Sequence, residues 1–339
     1  MSDLKLGVQM GYWGAGPNPK MVKIAQEAEA LGYDAIFTAE TWGSDCFTPL
    51  TWIGAHTSKI RLGTAVAQLS ARTPAAAAMA AITLDHLSGG RVILGLGVSG
   101  PQVVEGWYGQ PFAKPVSRTR EYIQIIKKIL ARDEPVSFDG EHYPLPFNGE
   151  GSWGLGKSLK SIVHPLRADL PIFVGAEGPK NVSMAAEVAD GWLPLFYSPY
   201  RQEVYADQIA HRKPGFEIMQ GVTVNIHDNV KKALQPVKQH LAFYVGGMGA
   251  KKANFHTELI GRMGLEAEAR KVQELFMSGR RDAAVEAIPD DFADEVSLVG
   301  PIERIRERLE PWRNSPVTSL LVNGGSEAHL RAVAEVVLG

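Results

Sequence analysis

Apolar positions along this chain alternate between short β-branched runs and longer stretches with helical spacing, the pattern of successive βα units feeding one parallel sheet. Leu4–Met10 (LKLGVQM) predicts a first strand. Asn18–Leu31 carries Met21, Ile24, Ala25, Ala28 and Leu31 on one helical face and stops at Gly32. Asp34–Ala39 predicts a second strand, Thr48–Thr57 a second helix and Ile60–Val66 a third strand. The next helix is capped by Thr73, opened by Pro74 and ended by Gly89-Gly90. Arg91–Gly97 predicts a fourth strand, and Val116–Ala131 its helix, with Tyr122, Ile125, Ile126 and Ile129 facing inward.

The rhythm breaks at Val136–Tyr143, where Asp139-Gly140 predicts a hairpin, and a glycine-rich stretch from Gly149 to Gly156 follows. It resumes as strand and helix pairs: Pro171–Gly175 with Pro179–Ala189, Gly191–Leu195 with Tyr200–His211, and Met219–Ile226 with Val230–Leu241. A helical insertion fills Lys251–Ala287, Val299–Trp312 predicts a helix, and Val317–Val322 a last strand. Eight strands in α/β alternation predict one (β/α)8 TIM barrel over residues 1–339, with insertions at about 132–170 and 243–298, after the fourth and seventh strands. A doubly wound sheet, which usually has fewer strands, is the alternative. Both insertions are expected at the C-terminal face, where barrel enzymes keep their active sites.

Composition narrows the function. The formal net charge of −2 gives no basic surface for nucleic acid or an anionic membrane. The single Cys46 excludes an internal disulfide and suits the cytoplasm. Met1–Gly7 has no signal-peptide pattern, and no apolar run is long enough to cross a bilayer. The nine histidines lack metal-site spacing, so no metal is expected. His86 falls on a core-facing helix and reads as structural. No G-x-S-x-G elbow is present.

Several segments can carry chemistry. Gly95-Leu96-Gly97-Val98-Ser99-Gly100 fits G-x-G-x-x-G, yet it follows a fourth strand, and Pro101, Gly106 and Gly109 point to a loop rather than a helix. It reads as a rim loop whose amides approach a ligand, or as tight strand–helix packing. Gly175-Ala176-Glu177-Gly178-Pro179-Lys180 joins a strand to a helix start, whose free amides suit a phosphate; an ordinary glycine turn is the alternative. Small residues at Gly63, Thr64 and Ala65 leave room for a flat ring at a strand end. Glu40 follows the second strand, placed either for catalysis or as a solvated loop acid. Tyr12, Trp13, Trp107 and Tyr108 can wall an apolar slot or pack the rim. Tyr244–Gly249 (YVGGMG) is either part of that wall or a flexible connection.

Taken together, these segments resemble the luciferase-like monooxygenase superfamily, most closely its branch using the deazaflavin coenzyme F420. The resemblance spans about residues 4–325 and rests on Tyr33–Glu40, Ile60–Val66, Leu84–Arg91, Gly95–Gly100, Gly175–Lys180 and Ala189–Trp192. It implies a bulge with a non-proline cis peptide at Ala65-Val66 backing the coenzyme's ring, with Thr64 beside it. It implies phosphate contacts from Gly97, Val98, Ser99 and Gly100, and from Gly175, Ala176, Glu177, Gly178 and Pro179, with Glu40 at the family's acidic position. Thr41 stands where several relatives have a histidine, so their alcohol-dehydrogenase mechanism is not carried over. What the resemblance implies is hydride exchange with a small organic substrate, with Glu40 and Tyr12 as proton-handling candidates, in a homodimer. FMN-dependent oxygenation is the rival activity, and a non-catalytic flavin-binding protein a third reading. Lys114, Lys157, Lys160 and Arg167 would form a basic lane for the coenzyme's acidic tail, or simply a solvated surface.

Overall fold

Eight parallel strands close into a ring. The computed structural model describes residues 4–249 and 254–339, so residues 250–253 of the expected insertion lie outside the described residues. In chain order the strands are β1 (Lys5–Gln9), β2 (Ala35–Thr38), β3 (Arg61–Thr64), β4 (Ala67–Gln68), β5 (Val92–Gly97), β6 (Ile172–Gly175), β7 (Gly191–Leu193), β8 (Glu217–Ile226), β9 (Ser297–Gly300) and β10 (Ser319–Asn323). The barrel runs β1-β2-β3-β5-β6-β7-β8-β10 and closes where β10 pairs with both β8 and β1. Two short strands lie outside this ring: β4 pairs with Leu96-Gly97, and β9 pairs with Thr223–Ile226. The sequence pattern predicts neither. β4 is too short for a period, and β9 occupies what reads as the first turn of a helix that begins at Ile302.

The barrel interior is packed with Phe37, Ile93, Phe173, Leu193, Met219 and Leu321. Two glycines make room for its rings. A Cβ on Gly63 would lie 2.1 Å from the Phe37 ring, and one on Gly191 would lie 2.7 Å from that of Phe173. Gly63 therefore serves an internal phenylalanine and not, as the sequence reading has it, a ligand ring. The helices bury their apolar stripes against the outside of the strands in a second, larger core.

The Leu84–Arg91 motif works at the opposite end from the C-terminal strand ends. Asp85 is buried, accepts from the Val92 amide at 3.1 Å and takes a two-point bond from Arg167 at 2.8 and 3.0 Å. Arg91 donates to the carbonyls of Gly54, Thr57 and Ile60. His86 is exposed and bonds the His164 carbonyl at 2.8 Å, which corrects its core-facing placement. Three of the four members of the expected basic lane have partners. Arg167 is held by Asp85, Lys160 by the Asp133 carbonyl and Lys114 by Glu141.

The two insertions leave the barrel at different ends. The first branches off after helix Pro115–Ala131, hence from the N-terminal side of the barrel. It folds back along that helix, whose Glu121 accepts the amides of Glu141, His142 and Tyr143. The expectation that it emerges at the C-terminal face does not hold. The second begins directly after β8, at helix Val230–Gly247, and returns as β9 beside the end of β8. The described residues between are thus looped out above the C-terminal mouth.

Candidate active site

Glu40 is almost fully buried behind the bulge. One carboxylate oxygen accepts from the Gln68 amide at 2.8 Å and from Arg72 at 2.6 Å; the other accepts from the Cys46 amide at 3.3 Å. These three bonds hold the carboxylate against the wall of the barrel. Cys46 is likewise buried, and burial pushes its thiol far up. Thr64 is inaccessible too. Its hydroxyl donates to the Gly95 carbonyl at 2.7 Å and accepts the Gly95 amide at 2.9 Å, leaving nothing for a ligand.

The Ala65-Val66 peptide is cis. Both side chains are partly open, and Val66 sits in a notch between two glycines. A Cβ on Gly97 would approach Val66 to 2.4 Å, and one on Gly175 to 3.0 Å. These two glycines are explained by Val66 alone, without a ligand. Beyond Gly97 the chain turns through Ser99, whose φ of 59° is unusual for a serine, to Gly100 and straight into helix Pro101–Gly106. The sequence reading leaves this segment as a loop, because a single helical turn is too short to show a period.

Gly178 is different. It precedes helix Pro179–Val188 with an ordinary φ of −69°, and a Cβ built there meets nothing within 4 Å. Neither backbone conformation nor packing requires glycine here; what it preserves is open space over the helix start. Within that helix the first amides, those of Lys180 and Asn181, have no carbonyl to reach. The loop below is firm: Trp192, wholly buried, donates to the Ala176 carbonyl at 2.8 Å. Glu177 turns away from the cradle and pairs with His256 at 2.7 Å. Its carbonyl accepts from Arg262 at 2.8 Å, which brings a guanidinium to the cradle's lip. An acid that looks misplaced in an anion site is thus used as a tie to the insertion.

Around the mouth lies a group that the sequence reading largely missed. Phe196 follows β7, His240 and Tyr244 come from helix Val230–Gly247, and His256 from helix Phe255–Ile260. The Phe196 ring has those of His240, Tyr244 and His256 at 5.7 to 6.0 Å, each edge-on. Tyr12 follows β1. Tyr12 keeps 51% of its surface accessible. Burial pushes its phenol up. In YVGGMG, Tyr244 packs edge-on against Phe196 at 5.7 Å, while Gly246 and Gly247 admit the Phe276 ring. No local signal announces His240, His256 or Arg262, because each reaches the mouth from the insertion.

His240 is accessible too, yet crowding by protein, and then the neighbouring His256, push its imidazole down to about 4. The unfolded chain takes up this proton near pH 6.5. Between those values the unfolded state binds a proton that the folded state refuses, so stability falls as the pH drops through that window. His240→Gln is expected to flatten this part of the acid slope in urea denaturation measured from pH 7 to 4. An unchanged slope contradicts the assignment.

Among the described residues no cluster of three or more histidine, cysteine or acidic side chains could hold a metal, and no helix is long and apolar enough to cross a membrane. Comparison with known proteins agrees with the barrel. The luciferase-like monooxygenase family profile matches residues 8–319. A Mycobacterium tuberculosis protein, provisionally named a coenzyme F420-dependent oxidoreductase, is 52% identical over 99% of both chains. A 5,10-methylenetetrahydromethanopterin reductase of Archaeoglobus fulgidus is 27% identical, over 88% of this chain and 87% of its own. Among solved structures, the coenzyme F420-dependent tetrahydromethanopterin reductase of Methanopyrus kandleri superposes with a TM-score of 0.80 at 21% identity over 99% of both chains. The chain belongs to the luciferase-like monooxygenase family.

Proposed function

We propose that the protein is an oxidoreductase that exchanges a hydride between coenzyme F420 and a small organic substrate. The observation that carries this reading is the open cradle at Gly178, beside the Ala65-Val66 notch, with Arg262 at its edge. The name of the 52%-identical mycobacterial relative supports F420 over FMN. When bound, the deazaflavin supplies a carbon that gives or accepts hydride.

Ala65 and Val66 would back the ring. Gly178, the amides beyond Pro179, and Arg262 would hold the phosphate, and Gly97, Val98, Ser99 and Gly100 would border it. Gly175, Ala176 and Glu177 act as the frame, fixed by Val66, Trp192 and His256. Glu40 and Thr64 brace the wall behind. Tyr12 holds the proton at its hydroxyl. We include a homodimer in the proposal, supported by Trp52, Met79 and Leu87, large apolar side chains exposed on neighbouring helices. A cytoplasmic location is included as well, supported by the lone, buried Cys46.

The test is a fluorescence titration of purified protein with each coenzyme. F420 is expected to bind saturably and at least about tenfold more tightly than FMN, a difference of about 1.4 kcal/mol. Tight FMN binding without F420 binding contradicts the reading.

A further inference from the structure

One stretch of the first insertion presents its apolar side chains outward. Trp153, Leu155, Leu159, Ile162, Val163 and Leu166 are all exposed, Ile162 at 94%, Trp153 at 88% and Leu155 at 79%. Their accessible surface adds up to on the order of 800 Å², above the roughly 300–600 Å² of the largest apolar patch on an ordinary monomer. The main chain beneath them is pinned. Arg132 donates to the Ser161 carbonyl at 2.9 Å, and the Val136 amide donates to the Leu159 carbonyl at 2.8 Å. The His86 ring bonds the His164 carbonyl, and Arg167 closes the stretch on Asp85. The stretch therefore crosses the C-terminal ends of helices Pro115–Ala131 and Pro74–Ser88, at the end of the barrel opposite the mouth. Apolar side chains held outward by a fixed main chain leave a large surface in water, which association removes.

We propose that this stretch is an interface with a second copy of the chain, the two copies meeting about a two-fold axis. The proposal rests on the homodimer included above and gives it a surface. Leu87, one of the exposed side chains that support the homodimer, directly follows His86, and a Cβ on Gly90 would touch Leu166 at 3.6 Å. The area fits, since each partner in a standard protein interface contributes about 800 Å². Charge fits as well. From residue 147 to 166 the full charges are Glu150, Lys157 and Lys160, and Lys160 is held by the Asp133 carbonyl, so little like charge is opposed across the axis. A lipid surface suits the stretch less. It forms no helix, and irregular main chain entering hydrocarbon leaves its amides unpaired. Pairing at this end also leaves both C-terminal mouths open.

Sedimentation velocity of the full-length protein across a concentration series tests this. A dimer is expected, and Ile162→Glu should raise its dissociation constant at least about a hundredfold. Met277→Glu, also exposed but on the second insertion, should leave it unchanged. Circular dichroism should show both variants folded, because neither side chain is buried. A second variant avoids the added charge. Ile162→Cys supplies an accessible thiol where the native Cys46 is buried, and its labelling by a maleimide should slow in step with dimer formation. Dimers that survive Ile162→Glu or dissociate equally in Met277→Glu, or labelling of the Ile162→Cys thiol that is indifferent to concentration, overturn the interface and leave the homodimer reading standing. A wild-type protein that stays monomeric overturns both. Co-sedimentation with vesicles of phosphatidylcholine and phosphatidylglycerol, lost in Ile162→Glu while the oligomer is unchanged, assigns the stretch to a lipid surface and overturns the proposal.

Discussion

Gly178→Asp is expected to weaken F420 binding roughly a hundredfold while leaving the coenzyme-free protein as stable as before, or slightly more so. The two effects have separate causes. The new Cβ meets nothing within 4 Å and the backbone φ is ordinary, so the fold accommodates it. Gly178 is also the residue that caps helix Pro179–Val188, and aspartate is a better cap than glycine by a few tenths of a kcal/mol. Against a bound phosphate the same carboxylate is repulsive, by about 4 kcal/mol per unit charge at 4 Å in a partly screened setting, and by less in salt. Gly178→Ala separates the charge from the bulk and should cost much less. Thermal melts of the free protein and a coenzyme titration together check the prediction. Unchanged affinity in the aspartate variant would remove the phosphate from this cradle.

Glu40→Ala is expected to destabilise the fold by about 3 kcal/mol or more, because it strips a buried partner from Arg72 and from two backbone amides. The Arg72 guanidinium would be left beside the buried wall without its main acceptor, while Asp45 lies 3.7 Å away as a partial substitute. Glu40→Gln, which keeps the shape, should cost less. Urea denaturation measures both. A Glu40→Ala protein as stable as the parent would mean that the carboxylate is held for chemistry and not for bracing.

The barrel was legible because its cause is local. Alternating β-branched runs and helical stripes such as Met21, Ile24 and Ala28 can satisfy their apolar faces only as βα units. The cradle was legible for the same reason: Gly178 and Pro179 follow a strand and open a helix. What the glycines do was not. Gly63, Gly97 and Gly175 look like ligand-approach positions, yet a phenylalanine inside the barrel and Val66 at its top account for them. Sequence shows that a Cβ is absent, not what occupies the space. Glu40 likewise reads as a rim acid, because Arg72 and the Gln68 amide that consume it are brought there only by the turn after β3. The aromatic group around Phe196 was hidden for a further reason. An amphipathic pattern in Val230–Gly247 states which face is buried, but not that Tyr244 meets Phe196 there. Spacing along a chain also says nothing about which end of a barrel a side chain reaches, and Arg167, expected in the basic lane, lies beside Asp85 at the far end.

The most direct measurement is a crystal structure of the protein with F420 bound. The account predicts the ring lying on Ala65-Val66 and the phosphate within hydrogen-bond reach of the Lys180 and Asn181 amides, with Arg262 alongside. A phosphate seated elsewhere, with the space over Gly178 filled only by water, would contradict it.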